Sequence, residues 1–229
     1  MASVTAMIGA PANSTFAGSR ESSRYGLRSK AGRAALLIAA VGVLTGCGGA
    51  SVAVPTSFPI PLVEKLPLKM GVYLNPELLA YVHNEKLESS GNWSINLGDA
   101  QQPMFKNLLT GMFDQMEFVA DPQSPPANLD GVLVPNIEEV QFSIPSQTRS
   151  DYYEVWIRYQ FKLYSGDGQL LADWPLTAYG KANERNYGMQ SNQQGLQAAA
   201  LAACRDAMAF FTIQFQGVPP VKDWLAAKL

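Results

Sequence analysis

The stretch Tyr152–Ala178, YYEVWIRYQFKLYSGDGQLLADWPLTA, decides the fold. Tyr153, Val155, Ile157, Tyr159, Phe161 and Leu163 recur at every second position, with Glu154, Trp156, Arg158, Gln160 and Lys162 between them. Successive side chains of a strand point to opposite faces, so this alternation reads as a strand with one buried and one largely solvated face. Ser165-Gly166-Asp167-Gly168 supplies residues that tolerate positive φ, as a tight hairpin requires. Leu170, Ala172, Trp174, Leu176 and Ala178 then alternate back. The pattern predicts a long antiparallel hairpin, and its apolar face needs cover from another layer.

The flanking segments supply that layer. Ser191 to about Gln214 carries Leu201, Cys204, Met208, Phe211 and Phe215 at three-four spacing, flanked by Ala200, Ala203 and Ala207. Such small residues let a helix sit close to a sheet. Asp99 to Met116 reads as a second helix, with Asp99 and Gln102 in capping-box spacing and Phe105, Leu108, Leu109, Met112, Phe113 and Met116 on one face. Short strands are expected at Leu68–Leu74, at Trp93–Leu97 and from Glu117, and a long extended segment over Gly131–Ile144, where Pro135 marks an edge or bulge. Asn75-Pro76-Glu77 opens a short helix running to about Val82, Glu85–Asn92 reads as a polar loop, and Asp223–Lys228 as a last amphipathic turn. The expected fold class is α+β: two layers, an antiparallel sheet with two main helices packed on one face, in a single domain over 67–229.

Composition narrows the function classes. From Cys47 onward the chain has 12 Lys and Arg against 18 Asp and Glu, a net charge of −6. An acidic domain offers no electrostatic footprint for nucleic acid. The sole histidine, His83, sits in a polar stretch with no nucleophile-elbow sequence beside it, so neither a histidine-dependent triad nor a His/Cys metal cluster is expected. Glu138 and Glu139 are adjacent in a strand and are expected to point to opposite faces. No cofactor motif stands out, no catalytic residue is nominated, and the chain is not expected to be an enzyme. Cys204 lies on the apolar stripe of its helix and reads as a small buried hydrophobe.

Two features suggest a contact surface. Ser146–Tyr153, SQTRSDYY, is a polar loop running into aromatic residues, and it nominates Arg149 and Tyr152 as partner contacts. Trp156 stands on the otherwise charged face of the long strand. It is either covered by a neighbouring loop or Tyr179, or part of an apolar patch for a protein or lipid partner.

The N-terminal region carries the most specific signal. Ala34–Cys47, AALLIAAVGVLTGC, is an apolar run of about a dozen residues, too short for the roughly 20 that a spanning helix needs. Arg20, Arg24, Arg28, Lys30 and Arg33, the remaining basic residues, all precede it, as in the positive n-region of a signal peptide. Leu44-Thr45-Gly46-Cys47 resembles the lipobox of bacterial lipoproteins. That resemblance implies lipidation of Cys47, a signal peptide over 1–46, and a flexible tether over 47–66, where Pro55, Pro59 and Pro61 stand among small residues. Gly48 occupies the position where an aspartate tends to retain such proteins in the inner membrane, which implies the periplasmic face of the outer membrane. With the helix of FKNLLTGMFDQ type, the hairpin and the closing helix, the layout over about 93–216 is similar to small envelope lipoproteins of the lipopolysaccharide-assembly and curli-secretion types. The resemblance implies an assembly or scaffold component with an envelope protein as partner. The alternative is a lipid-carrying accessory, which would need an apolar groove between helices and sheet.

Overall fold

The computed structural model describes residues 48–229; the expected signal peptide and Cys47 lie outside them. The strands are β1 (Gly49–Ala53), β2 (Leu66–Val72), β3 (Val82–Leu87), β4 (Gly91–Asn96), β5 (Phe113–Phe118), β6 (Gly131–Ser143), β7 (Tyr152–Ser165) and β8 (Leu170–Asn183). The helices are α1 (Pro76–Leu79), α2 (Gly98–Met112), α3 (Pro145–Thr148), α4 (Ser191–Gln214) and α5 (Pro219–Lys228). A five-stranded sheet has the order β5-β2-β6-β7-β8, and a three-stranded sheet the order β1-β4-β3.

The hairpin forms as the sequence reads. β7 pairs antiparallel with β8 from Tyr152↔Asn183 to Tyr164↔Leu170, and with β6 on its other side. The fold is α+β, but the sheets are mixed rather than antiparallel. β2 lies parallel to both β5 and β6, and β1 lies parallel to β4. β2 and β5 are joined by a crossover through α1, β3, β4 and α2, so β5 returns in the same direction. One register slip separates Leu163↔Ala172 from Tyr164↔Leu170, which turns Leu170 onto the exposed face instead of the expected buried one.

Three segments differ from expectation. The proposed tether contains β1, paired residue by residue with Asn92–Asn96, and Ala50, Val52, Val54 and Phe58 are buried. Its alternation is carried by residues so small that the prolines dominate the reading. Beyond it, the Phe58 carbonyl accepts a hydrogen bond from Asn107 Nδ2 at 2.7 Å, so this segment too is fastened to the domain. The expected polar loop 85–92 is instead the tip of a hairpin: 85–87 end β3, 88–90 turn, and 91–92 open β4. β3 is paired to β4 from Val82↔Asn96 to Leu87↔Gly91, and only Leu87 of β3 is buried. Finally, α2 stops at Met112 and Phe113 turns extended (φ −127°, ψ 155°), so 113–116 is strand rather than helix. The start of α2 also lacks the expected side-chain cap, because Asp99 instead accepts from Asn96 Nδ2 at 2.9 Å.

α4 is long and apolar enough to cross a membrane by length and composition. Its Gly195, Leu196, Ala199, Ala200, Ala203, Cys204, Ala207, Met208 and Phe211 are nevertheless buried, and the helix packs on β7, β8 and β1. The approach is close because Gly180 on β8 has no side chain; a Cβ there would lie 2.2 Å from both Ala199 O and Ala203 N. Between the helices and the large sheet the space is filled by rings. Phe161 lies 4.8 Å from Phe211 and 5.6 Å from Trp174, while Phe105 meets Tyr159 edge-on at 6.2 Å. Within this core the Tyr159 hydroxyl donates to Gln101 Oε1 at 3.2 Å, and Gln101 Nε2 donates to the Leu97 carbonyl at 3.0 Å. This buried polar link ties α2 to β7 with its donors and acceptors met.

Candidate functional site

The face of the large sheet opposite the helices is built from the residues that alternate with the core. Cross-strand register sets Gln141, Trp156 and Tyr179 in one row across β6, β7 and β8. The neighbouring rows are Glu139, Arg158, Thr177 on one side and Ser143, Glu154, Lys181 on the other. Trp156 and Tyr179 are in ring contact, centroids 5.2 Å apart and planes inclined by 37°. Of the two alternatives for Trp156, Tyr179 supplies partial cover, and both rings stay partly exposed.

Polar contacts hold the pair in place. Tyr179 Oη donates to Glu154 Oε1 at 2.5 Å, and Ser143 Oγ donates to Glu154 Oε2 at 3.1 Å. The Glu154 hydrogen bond, together with desolvation, pushes the Tyr179 phenol up to about 12. On the edge of β8 the Tyr179 backbone N–H donates to Asp206 of α4 at 2.9 Å, which closes one free position of that edge. Lys181 Nζ stands 5.1 Å from the centre of the Tyr152 ring, a cation–π geometry. Glu139, Gln141, Trp156, Arg158 and Thr177 surround a shallow depression of about 250 Å³. That is below the usual range of roughly 300–1,000 Å³ for small-molecule sites.

Of the residues nominated from sequence, Tyr152 and Trp156 share this face at opposite ends of one five-residue stretch of β7. Arg149 does not join them. It closes α3 in the left-handed region (φ 56°, ψ 28°), with its N–H donating to the Pro145 carbonyl at 2.9 Å. The glutamates depart from expectation. A bulge between Ile137 and Glu139 absorbs one residue and leaves both Glu138 and Glu139 exposed. Glu138 then pairs with Arg158 Nε at 3.1 Å, and Glu139 accepts from Gln141 Nε2 at 2.6 Å. Alternation puts Tyr179 on the same face as Trp156, but a turn centred on Asp167 alone would set Ala178 opposite Trp156, and only the slip between Leu163 and Tyr164 brings Tyr179 into that place. Gln141 and Glu139 were not legible, because the bulge hides their register.

The remaining candidates have structural roles. His83 lies in β3, and its ring meets Phe142 edge-on at 5.8 Å, joining the small sheet to the large one. Cys204 is buried, and burial pushes its thiol up to about 12, which makes it a poor nucleophile. Among the described residues no group of three or more His, Cys, Asp or Glu is arranged to hold a metal ion.

No protein-family model matches the chain, and no curated protein matches it. Among solved structures it is similar to a Xanthomonas campestris protein assigned to the DUF330 family model, at 11% identity and a TM-score of 0.49, covering 79% of this chain and 99% of that one. It is also similar to a minor lipoprotein from Acinetobacter baumannii, at 14% identity and a TM-score of 0.37, covering 67% and 94% respectively.

Proposed function

We propose that this chain is a lipoprotein of the bacterial envelope, anchored through lipidated Cys47 at the periplasmic face of the outer membrane. It acts without catalysis, as an assembly or scaffold component that docks an envelope protein on the helix-free face of its large sheet. The anchoring half of the reading is supported by Leu44-Thr45-Gly46-Cys47, which follows a basic and then an apolar stretch. The docking half is carried by one observation: an aromatic pair, Trp156 and Tyr179, with Tyr179 hydrogen-bonded to Glu154, framed by Arg158, Glu139 and Lys181 on a wide sheet face. Aromatic anchors inside a charged rim are the composition of protein-binding hot spots.

The lipid-carrier alternative requires an acyl-sized groove between helices and sheet. That place is occupied by Phe105, Tyr159, Phe161, Trp174, Phe211 and Phe215, all buried. The scaffold reading is therefore favoured.

The test is photo-crosslinking in living cells with probes at Gln141 and Thr177, beside a control probe at Gln216. Both face probes are expected to capture the same envelope protein, and Trp156→Ala and Cys47→Ala are each expected to abolish that capture. Equal capture at Gln216, or none at the face with lipid co-purifying in stoichiometric amount, overturns the docking reading.

A further inference from the structure

We propose that the domain is mounted flush on the membrane, with the end that carries Gly48 seated in the phospholipid headgroup layer. The inference rests on lipidation of Cys47 and adds an orientation to it. The physical ground is the lack of spare chain. Consecutive Cα atoms are about 3.8 Å apart, so the Cys47 Cα lies that far from Gly48. Gly48 itself is pinned, since a Cβ on Gly48 would lie 2.9 Å from Ser90 O and one on Gly91 only 1.8 Å from Gly48 O. Gly49 is already paired with Asn92. With no tether, acyl chains on Cys47 enter the bilayer within about 10 Å of β1, and the body cannot stand away from the surface.

The pairings identify which end this is. Ser90 Oγ lies 3.5 Å from Ser146 Oγ, so the β3–β4 turn touches α3, whose chain leads through Arg149 to Tyr152. Tyr152 pairs with Asn183 at the end of β8, and the chain from there runs through Met189 into α4. Gln193 of α4 completes the circle, bordering the same open depression as Gly48 and Gly49.

The chemistry of this end suits a headgroup layer. Met189 is fully exposed, at 105% of its reference area. An unbranched apolar side chain projecting from a turn is free to enter the acyl boundary. Ser89 and Ser146 are exposed and offer hydroxyls, and Arg149 makes no ion pair among the described residues, leaving its guanidinium for phosphate. Tyr152 under Lys181 is the aromatic-plus-lysine pairing found at membrane interfaces. β7 then runs away from the bilayer. At about 3.3 Å per residue, Trp156 stands roughly 13 Å beyond Tyr152, and the Gly166–Gly168 turn about 45 Å from it. A protein docking at Trp156 must therefore itself lie at the membrane surface.

The test uses full-length lipidated protein in phosphatidylethanolamine–phosphatidylglycerol vesicles containing a headgroup spin-labelled lipid. Fluorophores are placed on Ser89→Cys, Met189→Cys and Asp167→Cys, with Cys204 left buried and unlabelled. Quenching is expected to be several-fold stronger at 89 and 189 than at 167. Inserting an eight-residue Gly-Ser spacer between Cys47 and Gly48 is expected to reduce quenching at 89 and 189 while the protein still floats with the vesicles. Equal quenching at the three positions overturns the flush mounting and leaves the anchor intact. Undiminished quenching with the spacer overturns the claim that the missing tether sets the orientation. Failure to float, with no lipid mass on Cys47, overturns the underlying lipoprotein reading instead.

Discussion

Gly180→Ala tests the packing that creates the two faces of the sheet. The added Cβ would lie 2.2 Å from Ala199 O and Ala203 N and 2.8 Å from the Ala202 carbonyl carbon, all backbone atoms of α4. Ordinary contacts of a Cβ begin near 3.4 Å, so helix and strand must part by about 1.2 Å. A gap of that size forfeits a quarter to a half or more of each dispersion contact along the seam. The seam includes Ala199, Ala200, Ala203 and Cys204, all with no exposed area. Overpacking usually costs about 1–3 kcal/mol, and here the obstructing atoms cannot rotate aside, so about 3 kcal/mol is expected. For a domain of this size that corresponds to a fall in Tm of about 10 °C. Gly217→Ala is the control, since a Cβ there meets nothing within 4 Å. Urea unfolding followed by circular dichroism reads both. A loss below about 1 kcal/mol for Gly180→Ala, or an equal loss for Gly217→Ala, would refute the reasoning.

Three further outcomes follow from the same structure. Tyr159→Phe leaves Gln101 Oε1 buried without its donor and is expected to cost about 1–3 kcal/mol, recovered in part by adding Gln101→Leu; an additive double-mutant cycle contradicts the link. Burial pushes the Cys204 thiol from 9.0 up to about 12, so the unfolded chain releases this proton first. The stability it contributes is complete below pH 9 and is lost as pH rises toward 12, at about 1.4 kcal/mol per pH unit. Cys204→Ala should flatten that slope in urea titrations, and a thiol reagent should leave Cys204 unmodified at neutral pH until the domain unfolds. Trp156→Ala is expected to weaken binding of the crosslinked partner by about 2 kcal/mol while changing unfolding free energy by about 1 kcal/mol or less; a larger stability loss with unchanged affinity assigns Trp156 to the scaffold instead.

Legibility followed the strength of local patterning. β7 and β8 could be read because one face of the hairpin is almost continuously buried and Gly166–Gly168 mark where the chain reverses. α4 could be read because its apolar stripe and alanines repeat at helical spacing. β1 was hidden because Ala50 and Val52 are small and stand beside prolines. β3 was hidden because the small sheet buries only Leu87 from it. At 113–116 two periods fit the same residues: Phe113 and Met116 continue the stripe of α2, and it is pairing with β2, a contact distant in sequence, that makes the segment β5. Outside the hairpin, strand direction was invisible, since alternation is the same in parallel and antiparallel ladders, and β2 is parallel to both neighbours. At the candidate site, alternation puts Trp156 and Tyr179 on one face, but their pairing depends on the slip beside Leu163 and the flanking carboxylates on a bulge at Glu138, neither of which any residue type announces.

The most direct test of the central claim is intact mass spectrometry of the protein purified from bacterial membranes, followed by sequencing of its N-terminal peptide. A mature chain that begins at Cys47 is expected, with a diacylglyceryl thioether on its sulfur and an acyl group on its amine. A chain that retains residues before Cys47, or begins there with an unmodified thiol, would contradict the claim.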